Sequence, residues 1–135
     1  SILFRQSLKL SENFEAGIGS GYTSLKDESF VPFYMEAVGY KKNNRNIPCI
    51  KFQVGYSAAW YNNNNYPSDY TLKGGLYFSA GMGRKIHVGS RYSVLFHWAY
   101  YHQTVSVNYL IFGGQEYSTI ANYDMIQIAF GVMRE

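Results

Sequence analysis

Cysteine is almost absent from this chain. Cys49 stands alone, which excludes an internal disulfide and a thiolate cage for a metal. Charge is scarce: only 16% of the residues are charged, below the roughly 25% usual for soluble domains. The net charge of +3 is too small to point to nucleic acid. Long apolar runs are missing as well. No window approaches the roughly 18 consecutive apolar residues of a membrane-crossing helix, and helix signals of any kind are sparse. The three histidines are scattered, and no carboxylate-rich loop has calcium-ligand spacing, so no metal is expected. "GIGSGY" and "GMGRK" contain glycine but lack the phosphate-loop pattern and its following helix. No cofactor is expected. No secretory leader is visible, and the chain opens on Ser1 without Met, as a processed or trimmed chain would.

Tyrosine and alternation are plentiful. Of the 135 residues, enough for a single domain over 1–135, 19% are aromatic and 14 are Tyr, a bias toward strands and toward interfaces that are wet on one side. Strand-like runs recur at hairpin spacing: Ile2 to Leu10, Phe14 to Thr23, Phe30 to Lys41, Ile50 to Tyr61, Gly74 to Gly83, Tyr92 to Gln103 and Tyr123 to Met133, with a weaker run from Val105 to Phe112. Each splits into an apolar and a polar or small set. In "GGLYFSAGMG", Leu76, Phe78, Ala80 and Met82 oppose Gly75, Tyr77, Ser79, Gly81 and Gly83. In the run from Ile50, the residues Phe52, Val54 and Trp60 oppose Lys51, Gln53 and Gly55.

Runs of about ten residues exceed the five or six typical of soluble domains and match a tilted strand crossing a bilayer. The expected fold is all-β: an antiparallel up-and-down transmembrane β-barrel of about eight strands, with apolar residues outward and a tight polar lumen. "LSEN", "KKNNRN" and "RKIHVGSR" form the short turns of one rim. "SLKDES", "NNNNYPSD" and the segment from Gln103 to Asn122 form longer loops at the other, the outer-membrane arrangement with short turns periplasmic. Lipid-facing or girdle aromatics are Phe52, Trp60, Phe78, Phe96, Trp98 and Phe130. Further girdle candidates are Tyr22, Tyr61, Tyr70, Tyr100, Tyr101 and Tyr123 at the long-loop rim, with Phe14, Tyr40 and Tyr92 at the other. Lys9, Lys41, Lys42, Arg45, Arg84, Lys85, Arg91 and Arg134 place most of the positive charge at the short-turn side. "NNNNYPSDY" resembles both a recognition surface and an ordinary solvated loop.

The inward faces carry a candidate polar network of Lys9, Glu15, Tyr34, Glu36, Lys51, Gln53, Tyr77 and Gln127. Hairpin register sets Lys9 opposite Glu15 and Lys51 diagonal to Glu36. Charges enclosed in a barrel are tolerable when paired. The structural reading is a hydrogen-bonded plug in a narrow interior, and the functional one is a gated path for protons or small ions. For catalysis, Ser106, His102 and Asp124 are the one combination that invites attention near the outer rim. No motif accompanies them, so no enzyme is expected.

The blocks "LKLSENFEAGIGSGY", "FVPFYMEAVGYKKNNRNIPCIKFQVGYSAAW" and "KGGLYFSAGMGRKIHVGSRYSVLFHWAYYH" together resemble the small outer-membrane β-barrel domain common in Bacteroidota. That resemblance spans about Leu8 to His102 and implies an OmpA-like eight-stranded barrel, usually without assigned activity. The chain departs from it by ending "VMRE" rather than on an aromatic residue. It also departs in parity, since seven runs bring the C-terminus to the periplasmic side. A first strand upstream of Ser1, or one from another chain, would restore an even number; the rival is Val105 to Phe112 as an eighth strand. The expected role is a structural, accessory or scaffold protein of the outer membrane, with membrane lipids and other outer-membrane proteins as partners and no nucleic acid. The alternatives are a soluble lipocalin-like or fatty-acid-binding-like barrel, which would invert the same alternation, and, more weakly, an outer-leaflet lipid hydrolase.

Overall fold

A computed structural model of the chain describes residues 1–25, 28–41, 46–60, 70–111 and 115–134. Among them there is no helix. The strands are β1 (Ile2–Ser11), β2 (Phe14–Leu25), β3 (Glu28–Tyr40), β4 (Asn46–Ala59), β5 (Tyr70–Lys73), β6 (Gly75–His87), β7 (Tyr92–Ile111) and β8 (Gln115–Arg134). They form one eight-stranded sheet, antiparallel at every pairing. This is the expected up-and-down all-β architecture.

Two of the strands are halves of one pass. Both β5 and β6 pair with β7: Lys73 lies opposite Ser106 and Tyr77 opposite Gln103. Between these pairs one ribbon advances by one residue more than the other, which defines a β-bulge. It falls at Gly74–Gly75, where the backbones crowd: a Cβ on Gly74 would run into the Ser57 carbonyl oxygen, and one on Gly75 into that of Thr104. Only glycine fits such an approach. Seven passes result, and Ile2 lies opposite Tyr22 at one rim while Arg134 lies opposite Tyr92 at the other.

The segment from Gln103 to Asn122, expected as a long loop, is instead the upper part of a hairpin. β7 and β8 pair without a register shift from Tyr92 and Arg134 up to Ile111 and Gln115. Val105 to Phe112 is therefore not an eighth strand; its described residues continue β7. The reason lies in the β-branched residues Thr104, Val105, Val107, Thr119 and Ile120, which suit a pleated pair even where the flanks turn polar. At about 3.3 Å per residue, strands of 20 residues extend about 65 Å, well beyond what a tilted strand needs to cross a bilayer.

The sheet curls but does not close. β1 pairs with β2 and β8 with β7, and no ladder joins β1 to β8. Both edges nevertheless reach the same interior. Leu3 of β1 and Met125 of β8 pack on one cluster of tyrosines, and the Arg5 guanidinium touches the Met133 sulfur.

The interior is layered. Phe30, Leu72 and Val105 fill one end, and Val38, Cys49 and Leu95 the other. Between them lie a belt of tyrosines and a layer of charge. The outer face is the reverse of a soluble domain: Phe4 is 74% exposed, Met35 64% and Phe130 76%. Leu76, Phe78 and Met82 are exposed too, while Tyr77 and Ser79 are buried. The lone thiol of Cys49 is buried.

Candidate functional site

The inward alternation of β3 delivers Tyr34, Glu36, Val38 and Tyr40 to the interior in sequence, because successive side chains on a strand face opposite ways. Glu36 is the centre of the site. Its side chain is 1% exposed and gathers three donors. Arg5 of β1 reaches it across β2, Lys51 of β4 approaches to 3.2 Å, and the Gln53 amide donates to it at 2.9 Å. Gln53 lies directly across the ladder from Glu36, and Lys51 lies on the diagonal, opposite Val38. From Lys51 the chain of contacts continues to His97 Nε2 on β7, at 3.5 Å.

A second carboxylate sits one layer nearer the short turns. Glu15 is 3.8 Å from Lys85 and 4.0 Å from Arg5, and accepts a hydrogen bond from the Tyr40 hydroxyl at 3.0 Å. Lys85 also lies over the Tyr40 ring, 5.2 Å from its centroid, a cation–π contact. Arg5 thus spans both carboxylates, and the two carboxylates share three cations, Arg5, Lys51 and Lys85. Around this end lies a cavity of about 870 Å³ bounded by β1, β8 and the short turns, with Arg5, Lys9, Glu15 and Lys85 in its wall.

On the far side of Glu36 the interior is filled by tyrosines. The Tyr77 hydroxyl donates to Gln53 Oε1 at 2.6 Å. Its ring meets Tyr34 edge-on at 6.0 Å and Tyr101 at 4.9 Å. Rings at these spacings attract one another beyond their area of burial, so the belt is a packed layer of the interior. Tyr77→Phe removes the hydrogen bond and leaves Gln53 Oε1 short of a donor. The expected cost is about 1–2 kcal/mol, read as a shift in the denaturant midpoint with the slope unchanged; an unshifted midpoint would mean that water replaces the hydroxyl.

Of the expected network, the structure joins Glu15, Tyr34, Glu36, Lys51, Gln53 and Tyr77 into this assembly. Lys9 does lie opposite Glu15 in the ladder, yet its side chain is exposed at the mouth of the cavity, and Glu15 takes Arg5 and Lys85 instead. Gln127 faces inward, with its Oε1 buried and without a protein partner among the described residues. Three participants lie beyond the sequence reading of the network. Arg5 shares the inward parity of Lys9. Lys85, expected at the basic rim, is buried. His97, whose inward direction alternation does predict, adjoins Lys51.

The outer face holds Phe52, Trp60, Phe78, Phe96, Trp98 and Phe130, all exposed. Phe14, Tyr22, Tyr92 and Tyr100 join them. Three other girdle candidates turn inward by strand parity. Tyr101 belongs to the tyrosine belt, Tyr40 to the Glu15 layer, and Tyr123 packs on the Phe30 cluster while donating to Glu28 at 2.9 Å. Tyr61 and the "NNNNYPSD" loop lie outside the described residues, as does the Tyr70 side chain.

Two of the three residues considered for hydrolysis do meet. His102 Nδ1 is 2.6 Å from Asp124 Oδ1, and the Tyr100 hydroxyl donates to the same oxygen. The Phe78 ring stacks against His102 with centroids 5.1 Å apart. Ser106 is four positions further along the same strand, about 13 Å away, so no nucleophile of the expected triad reaches the imidazole. The group is an exposed polar cluster on the outer face.

No protein-family model, curated protein or solved structure matches the chain.

Proposed function

We propose that the chain is a small outer-membrane β-barrel protein with a structural or accessory, non-catalytic role, carried by lipid on its outer face and serving a larger membrane assembly. The observation that carries this reading is the inverted polarity of the sheet. Ionic groups are enclosed with their partners, and large apolar side chains stand exposed on every pass. A soluble protein would leave such a surface wet, far beyond the patch of a few hundred Å² that monomers tolerate. A lipocalin-like carrier requires the opposite arrangement, with an apolar interior around its ligand.

The tyrosine belt and the paired charges favour a plugged lumen over a conducting one. The open seam between β1 and β8 favours the accessory role, because unpaired strand edges are costly in lipid. In this reading a strand from elsewhere, upstream or from a partner, covers the seam. The resemblance to the small Bacteroidota barrels agrees with it.

The test is behaviour without detergent. The full chain is expected to stay with the membrane pellet through an alkaline wash and to be monodisperse only in detergent or lipid. A monodisperse, detergent-free species would reject the membrane reading. Copurification from native membranes then identifies what covers the seam.

A further inference from the structure

The outer face is not uniformly apolar near the short turns. Two of its cations share a single cross-strand row. Lys41 donates its backbone N–H to the Pro48 carbonyl at 3.0 Å, and Arg84 lies opposite Pro48 on the other side. The two cationic residues therefore flank Pro48 about two strand spacings apart, near 10 Å, within reach of one phosphate for side chains of this length. The next row toward the middle of the sheet is Gly39, Ile50, Met82 and Trp98, each opposite its neighbour.

Gly39 is a gap in that row. A Cβ placed on it would touch nothing within 4 Å, so crowding does not explain the glycine; its lack of a side chain leaves the surface hollow. Beside it, Ile50, Met82 and Trp98 are each about half exposed, at 54%, 51% and 50%. Together these residues bound an outward groove of about 710 Å³, with apolar walls and Lys41 and Arg84 at its lower margin.

We propose that this groove binds one anionic glycerophospholipid, its phosphate between Lys41 and Arg84 and an acyl chain along Ile50, Met82 and Trp98. The proposal rests on the membrane reading above. Cations one row below an apolar trough match the order of groups in a phospholipid, headgroup at the rim and chain toward the bilayer middle. Gly39 supplies the space that the chain fills. An anionic lipid is preferred over a zwitterionic one because two cations gain from a net negative headgroup.

Trp98 reports on its own groove. The chain has two tryptophans, so Trp60→Phe leaves Trp98 as the sole indole. This variant is reconstituted in phosphatidylcholine vesicles containing either brominated phosphatidylglycerol or brominated phosphatidylcholine at equal mole fraction. Brominated phosphatidylglycerol is expected to quench Trp98 at a lower mole fraction, by about fivefold for each cation engaged. Lys41→Gln with Arg84→Gln is expected to bring the two lipids level. Gly39→Leu, which keeps both charges, is expected to weaken quenching by either lipid as it fills the trough. Folding of each variant is checked by its β-type circular dichroism. Equal quenching by both lipids before any cation is removed would overturn the site while leaving the membrane reading intact. No quenching by either would overturn both.

Discussion

Glu36→Ala is expected to destabilise the protein by about 3–5 kcal/mol, the cost of removing one partner from a buried ionic group. The carboxylate is shared by Arg5, Lys51 and Gln53, and its loss takes the carboxylate from buried Lys51 and leaves Arg5 with Glu15 at 4.0 Å. Against a total stability of roughly 5–15 kcal/mol, that is a large share of the margin, and at the lower end of the range it is enough to unfold much of the population. Glu36→Gln keeps an acceptor for Gln53 but not the charge, so a smaller loss is expected. Replacing Glu36 by Leu and Lys51 by Met together is expected to cost less than the sum of the single changes, because each removes the charge that the other would strand. Equilibrium denaturant unfolding in detergent micelles measures all of these. A loss below about 1 kcal/mol for Glu36→Ala would mean that water reaches the cations freely and the lumen is open. Single-channel recording separates that outcome directly: with the tyrosine belt intact, neither the parent chain nor the variant is expected to conduct.

Gly19→Val is the second large effect. Gly19 sits inward on β2, opposite Arg5 on one side and Tyr34 on the other. The Tyr34 ring folds back across it so that its hydroxyl points at the Phe4 carbonyl, 3.5 Å away. A Cβ at position 19 would overlap the Tyr34 ring and stand 2.7 Å from that same carbonyl oxygen. Valine therefore has to expel the ring, which breaks its edge contact with Tyr77 and opens the belt. The expected cost is about 3 kcal/mol, the upper part of the range for overpacking a filled interior. Tyr34→Ala is costly alone but is expected to add little once Gly19→Val is present, since the ring is by then displaced. Strict additivity in a double-mutant cycle would show that the collision with the Phe4 carbonyl, and not displacement of the ring, sets the cost.

The exposed outer aromatics were legible in the sequence because alternation is local. In an extended chain the direction of a side chain depends on its parity along the strand, so Phe52, Phe78, Phe96, Trp98 and Phe130 could be assigned outward from their own runs. The same rule, applied without rim assignments, would have turned Tyr40, Tyr101 and Tyr123 inward. Their expected place in a girdle came from closeness to a turn, which says how high a residue stands and not which way it points. The hairpin from Gln103 to Asn122 was hidden for a related reason. Its glycines and polar residues read as a loop, and only the backbone pairing from Thr104 and Asn122 up to Ile111 and Gln115 makes it a ladder.

What the amino-acid sequence determined by itself was the class of fold, the inversion of polarity and the neighbours within each hairpin, such as Glu36 with Gln53 and Lys51. Each depends on spacing along one or two successive strands. The tertiary structure alone decided that Arg5 and Lys51 share Glu36, that Lys51 meets His97, that Glu15 takes Lys85 rather than Lys9, and that Lys41 and Arg84 flank one proline. These are meetings across intervening strands or at the ends of ladders. They depend on the curl of the sheet, which no local periodicity records.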